Sequence, residues 1–245
     1  MPETQYNPMQ DALARMAARS PVLLPHASAE QRRLRRELMD AEVALKEQRE
    51  KVAALRRRLP QGTPLETDYV FREGPADLSR NAPAEMTDAR LSDLFALGKE
   101  NLILIHFMFG AAAENPCPMC TMWADGYDAV AEHVSQRAAL VLVAKAEIGR
   151  LRAFAAARGW NHLRLLSSHD TSFNADFGME DDFGQWPGVS VFRKGEDGRV
   201  YHFYTGSAPI GADLARGIDL MSPVWHLFDL LPEGRGDWFP SLRYD

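Results

Sequence analysis

A mixed α/β sheet flanked by helices is the fold class this chain predicts, and three observations predict it. From residue 61 onward, short runs of β-branched and aromatic residues alternate with segments of helical periodicity, the order that gives parallel strands joined by helical crossovers. Near the end, two strand-like runs flank the turn Gly195-Glu196-Asp197-Gly198, which adds an antiparallel hairpin at one edge. Ahead of all this lies one long, highly charged helix of a different character. Hydrophobic residues make up 46% and aromatics 9% of the 245 residues, enough for a real core and against a disordered chain.

The charged helix spans about Ser28 to Leu59. Ser28 with Gln31 three residues on is a capping-box pattern, and Pro60 stops the run. Apolar positions at Leu34, Leu38, Ala41, Leu45, Val52, Leu55 and Leu59, with Gln48 keeping the register, step alternately by four and three, which is heptad spacing. Residues 30–60 carry ten basic and six acidic side chains, a net +4 in a chain of formal charge −6. This suits a solvated amphipathic helix or one side of a dimer seam, with a nucleic-acid or anionic-membrane arm as the competing reading. One narrow stripe without interleaved aromatics does not make a nucleic-acid reader. The expectation is a helical leader over residues 1–60, a coiled-coil-like arm that pairs a homodimer, followed by a second domain over 61–245.

In that second part, strands are expected at Tyr69–Phe71, 101–109, Ala139–Ala144 and Leu163–Leu166, and in the hairpin Val189–Phe192 with Val200–Tyr204. Helices are expected at Leu91–Phe95, Thr121–Val134, Ala146–Arg158 and over roughly Asp213–Leu230. No apolar run reaches the roughly 20 residues of a membrane span, and Met1 to Pro8 lacks the basic start and apolar stretch of a secretion signal. The expected home is therefore the cytoplasm, with neither membrane nor nucleic acid as a partner.

The chain's two cysteines both fall in Asn115-Pro116-Cys117-Pro118-Met119-Cys120, between the strand 101–109 and the helix that follows. At i and i+3 of a helix's first turn, two thiols share a face and can reach each other. The helix N-terminus offers unpaired N–H groups and partial positive charge that stabilise a thiolate on the first of them. In a reducing compartment such a lone pair suits redox chemistry better than a structural staple. Cys117 is the expected nucleophile, Cys120 the resolving thiol, and a protein or small-molecule disulfide or thiol the expected substrate. No cofactor is implied: the chain has no Gly-x-Gly-x-x-Gly, no P-loop and no metal-ligand spacing.

The order strand, Cys-x-x-Cys helix, strand, helix, strand, then a Pro-led hairpin and helix resembles the thioredoxin fold. A cis-proline precedes the hairpin strand and faces the dithiol in thioredoxin-like proteins, and the resemblance assigns that place to Pro187, in Gln185-Trp186-Pro187-Gly188-Val189-Ser190-Val191-Phe192. A narrower resemblance rests on His106-Phe107-Met108-Phe109-Gly110, on Cys117 through Gly126, and on Ser172-Phe173-Asn174-Ala175-Asp176-Phe177-Gly178. These strings are similar to a bacterial thioredoxin-like family catalogued as a domain of unknown function, whose members carry a helical leader. That resemblance implies the fold and leaves the activity open. His106 stands where thioredoxins keep a buried carboxylate, so it is a candidate proton acceptor for the second thiol, or else a core histidine. Pro118, Met119, Trp123 and Trp186 are the expected walls of a substrate groove. Asp125 and Asn174–Asp176 are expected to cap and bond turns.

Three other readings compete. The loop Gly110–Pro116 is longer than in thioredoxin and is similar to peroxiredoxins, but the Pro-x-x-x-Thr-x-x-Cys signature is absent. A thiol peroxidase would also want an arginine near the thiol, with Arg150, Arg152, Arg164 and Arg193 as candidates. A zinc or copper site would need histidine, aspartate or glutamate to complete the two cysteines, yet no His-x-x-His or nearby pair is evident, and His106, His133 and His169 are isolated. Last, the leader could make the chain a non-catalytic interaction module with a redox-sensing dithiol.

Overall fold

The computed structural model describes residues 15, 25–207, 221–232 and 236–244. The chain divides into two compact units, Met1–Leu59 and Pro60–Asp245. In the first, helix α1 runs Ala29–Arg57. Its capping box forms as the sequence implies: the Gln31 amide donates to Ser28 Oγ at 3.1 Å, and the Ser28 amide donates to Gln31 Oε1 at 2.8 Å. Arg33 bridges Glu30 and Glu37 at 2.9 and 3.0 Å along one face. No residue of α1 is buried.

The second unit is built on a seven-stranded sheet in the order β2-β1-β5-β4-β3-β8-β9. Its strands are β1 (Val70–Glu73), β2 (Thr87–Arg90), β3 (Asn101–Phe107), β4 (Ala139–Ala144), β5 (Arg164–Ser167), β8 (Gly188–Lys194) and β9 (Val200–Ser207). A separate two-residue ladder pairs β6 (Glu180–Asp181) with β7 (Gly184–Gln185). Strands β3, β4 and β5 are parallel, while β1 on one side and the β8–β9 hairpin on the other are antiparallel. Helix α2 (Pro118–Val134) connects β3 to β4, and α3 (Ile148–Arg158) connects β4 to β5. Both crossovers step the same way across the sheet, so the right-handed rule puts both helices on one face.

Side-chain alternation then sorts the core into two layers. Ile105, Phe107, Leu142, Ala144, Leu165 and Val189 pack beneath α2 and α3. Leu102, Leu104, Val141, Val143, Leu166 and Phe192 pack on the other face against Phe71, Leu91, Leu94 and Phe173. The short helix α4 (Phe173–Asp176) contributes Phe173 to that second layer.

Several boundaries differ from expectation for local reasons. The segment expected to be helical over Leu91–Phe95 is a single 3₁₀ turn, Leu91–Asp93, whose Leu91 plugs the core. Strand β2 was not anticipated because Thr87-Asp88-Ala89-Arg90 buries only Ala89, and an edge strand needs no apolar alternation. Of the expected final helix, residues 213–220 lie outside the described residues; within the rest, helix α5 runs Pro223–Phe228 and is capped by Ser222. Gly188 opens β8 because a Cβ there would meet Met179 Sδ at 2.6 Å and the Gly206 carbonyl at 2.7 Å.

A dithiol at a helix N-terminus as candidate active site

Cys117 is the N-cap of α2, Pro118 takes the first helical position and Cys120 the third. Proline suits that first position because its missing N–H would have had no partner in the helix. The Cys117 amide donates to the Met108 carbonyl at 3.0 Å, which ties the motif to the end of β3. The Cys117 carbonyl accepts from the Thr121 amide at 3.0 Å and from Thr121 Oγ1 at 2.9 Å. Between β3 and the motif, the loop of residues 110–116 is held from α3: Arg150 donates to the carbonyls of Ala111 and Ala113, and its guanidinium lies 5.0 Å from the Phe109 ring centre.

Both cysteines are free thiols, Cys117 half-buried and Cys120 buried. Their acidities are driven apart. The Cys120 thiol hydrogen-bonds to Cys117 and is the largest influence holding it down to about 6; burial opposes this, and the Cys120 and Met119 amides add to it. Cys120 is pushed well up by the same hydrogen bond, by burial and by the charge on Cys117. One thiol is thereby set to ionise near neutral pH while its neighbour keeps its proton.

The other expected site residues divide. Pro118 is partly exposed beside Cys117, but Met119 and Trp123 are only 8% and 4% exposed and belong to the core under α2, so they wall no groove. Their position on the sheet-facing side of the helix is the reason. Trp186 is partly exposed and donates from Nε1 to Asp181 at 2.8 Å, within the small β6–β7 ladder. Pro187 directly precedes Gly188, which pairs with His106 near the dithiol end of β3. Among the described residues no peptide bond is cis, so the expected cis bond at Pro187 is corrected to trans. The chain leaves β7 through the Trp186 amide, which bonds the Met179 carbonyl at 2.9 Å, and reaches β8 in the ordinary isomer.

His106 is also corrected. It alternates with Ile105 and Phe107, and those two face α2. His106 therefore lies on the opposite face, stacked on Phe173 with ring centres 5.6 Å apart. Its Nε2 pairs with Ser190 Oγ at 2.8 Å; Ser190 pairs with Thr205 at 2.7 Å, and Thr205 with His202 Nε2 at 2.7 Å. Burial first, and then His202, lower its pKa to about 3, so the imidazole is neutral at physiological pH. It is a core histidine on the reverse face, without access to either thiol.

Two residues near the dithiol carry no motif. Tyr127, seven residues after Cys120 and so on the same helix face, is buried, and its pKa is raised by burial and then by Cys120. Only the heptad spacing could have pointed to it. Arg150 was one of several candidate arginines, and it serves the loop rather than an open pocket. Asp125 does more than cap: it accepts from Arg158 and, at 2.8 Å, from Trp160 Nε1, joining α2 to the end of α3. Asn174 accepts from Ser168 Oγ at 2.6 Å, and Asp176 accepts from Tyr69 Oη at 2.8 Å. Among the described residues, no group of three or more His, Cys, Asp or Glu is placed to hold a metal ion.

The family model for a bacterial protein of unknown function (DUF899) matches residues 24–243. The chain belongs to this family. No curated protein matches it. Among solved structures, this DUF899 chain is similar to peroxidoxin BcpB from Mycobacterium tuberculosis, at 19% identity and a TM-score of 0.45, over 65% of this chain and 94% of that one. It is also similar to the Plasmodium falciparum antioxidant protein, a 1-Cys peroxiredoxin, at 13% identity and a TM-score of 0.46, over 66% and 95%. A third likeness is to a putative thioredoxin reductase from Burkholderia cenocepacia, at 15% identity and a TM-score of 0.43, over 63% and 91%. No helix among the described residues is long and apolar enough to cross a membrane.

Proposed function

We propose that this protein is a thiol–disulfide oxidoreductase working through Cys117 and Cys120. The observation that carries the reading is the placement of two free thiols at the start of α2, Cys117 at the N-cap and Cys120 at the third helical position; the hydrogen bond between them holds Cys117 down to about 6 and pushes Cys120 up. The Cys117 thiolate attacks one sulfur of a substrate disulfide; a Cys117–substrate bond forms, and the other substrate sulfur leaves as a thiolate. Cys120 then gives up its proton to the departing thiolate or to solvent and attacks Cys117 Sγ. The Cys117–Cys120 bond forms and the second substrate sulfur leaves. Two electrons have passed from the protein to the substrate, and the reverse sequence oxidises a substrate dithiol. No imidazole or carboxylate is assigned to deprotonate Cys120: His106 lies on the wrong face, and the nearby Tyr127 holds its proton more tightly than usual.

In this reading Pro118 and the Trp186–Pro187 segment, which are partly exposed, would receive the substrate chain. Self-association through α1 in a cytoplasmic setting belongs to the same reading. The test is a redox titration: equilibrate the protein in dithiothreitol or glutathione buffers of graded potential and count free thiols by alkylation mass shift. A single two-electron couple between about −120 and −270 mV, the span from DsbA-like to thioredoxin-like pairs, is the expected result. Thiols that never pair under oxidising buffer would sink the proposal.

A further inference from the structure

The leader helix carries a feature the dithiol reading does not use. Leu34, Leu38, Leu45 and Leu55 of α1 are 48%, 51%, 53% and 58% exposed. A heptad stripe of this kind stabilises a helix mainly by packing against another. With Leu38, Leu45 and Val52 at a, and Leu34, Ala41, Gln48 and Leu55 at d, the flanking charges fall at defined places. The g positions are Glu30, Glu37, Ala44, Lys51 and Arg58; the e positions are Arg35, Glu42, Arg49 and Arg56.

Those charges choose an orientation. In a parallel pair, each g residue meets the e residue five places on in the partner. Glu30 would then meet Arg35 of the partner subunit favourably, but Glu37 would meet Glu42 of the partner subunit and Lys51 would meet Arg56 of the partner subunit, both like-charged. In an antiparallel pair, e faces e and g faces g. Setting Leu38 against Leu55 of the partner subunit brings Glu37 to Arg58 of the partner subunit and Glu42 to Arg49 of the partner subunit. The one unfavourable meeting is Arg35 with Arg56 of the partner subunit. The same setting places Val52 against Ala41 of the partner subunit and leaves Gln48 facing Leu45 of the partner subunit. Sliding by one heptad instead sets Leu38 against Gln48 of the partner subunit and Leu55 against Gln31 of the partner subunit, which wastes two leucines. We propose that α1 pairs with α1 of a second copy of this chain as an antiparallel coiled coil in the Leu38–Leu55 register.

This refines the self-association named above and does not depend on the chemistry of Cys117. The test uses full-length chains in which Cys117→Ser and Cys120→Ser leave no native thiol, one carrying Leu38→Cys and the other Leu55→Cys. Mixed and oxidised, they are expected to give roughly tenfold more disulfide-linked dimer than either alone, because a disulfide needs Cα atoms within about 7 Å. In this register, two copies of residue 38 stand about 25 Å apart along the axis at 1.5 Å per residue. Efficient linking of Leu38→Cys to itself would mean a parallel pair and overturn the proposal. Sedimentation equilibrium of the unsubstituted chain supplies the second reading, independent of any effect of the new cysteines on folding. A dimer supports the proposal, and a monomer at high micromolar concentration overturns it.

Discussion

The chain begins its two long helices in opposite ways. At α1 the N-cap is Ser28, whose hydroxyl accepts the Gln31 amide, so an orphan donor of the first turn is used up by structure. At α2 the N-cap is Cys117, with no side-chain cap bond, and the amides of Met119 and Cys120 act on its sulfur instead. A hydroxyl at such a place closes the helix end. A thiol there turns the same unpaired groups into a device that stabilises its anion. What separates a cap from a candidate nucleophile is one atom and its surroundings.

The largest effect should come from breaking the second cap. Cys117→Ser puts a capping hydroxyl where the thiol was, so circular dichroism should report an intact fold while the two-electron couple disappears entirely. Cys120→Ser should instead accumulate a mixed disulfide on Cys117, visible by mass spectrometry. Next comes pH. The rate of Cys117 alkylation should rise through a midpoint near 6 in the wild type. In Cys120→Ala that midpoint should move up, because the largest cause of the lowering has gone; an unmoved midpoint would show that the Cys120 hydrogen bond is not what lowers it. Linkage follows with its sign. Cys117 titrates near 6 when folded and nearer 9 when unfolded, so between those values the unfolded state binds more protons. The reduced protein should therefore gain stability as pH rises from about 6 toward 9, and lose it again as pH falls back through 6, measured by urea unfolding.

Smaller effects test the frame around each helix start. Asp125→Ala leaves the buried Trp160 without its acceptor and Arg158 without its carboxylate. It should cost about 2 kcal/mol in urea unfolding, the usual cost of orphaning a buried donor. Ser28→Ala removes the α1 cap and should cost about 1 kcal/mol of helix stability. It should leave the redox midpoint unchanged, which is the sharpest contrast with Cys117→Ser. A shift in that midpoint would mean that the two helix starts are coupled.

The features legible in the sequence are those set by neighbours along the chain. Ser28 with Gln31 specifies a cap within four residues, and Cys117 with Cys120 specifies one face of a first turn. The alternation of strand and helix periods specifies parallel strands with the hairpin β8–β9 at the edge. Chain neighbours could not say which face of β3 would meet α2. His106 and Phe107 alternate in any strand, but the direction of two right-handed crossovers decided that Phe107 lies in the layer beneath α2 and α3 and His106 faces Phe173. Trp123 looked like a groove residue and is core for the same reason, since only the packed helix shows which side it turns inward. Arg150 is bound to its loop by backbone carbonyls nearly forty residues away, a contact no local pattern encodes. Local spacing determined where the thiols are and that they can meet; the long-range packing of sheet and helices decided what surrounds them, and the surroundings set which thiol ionises.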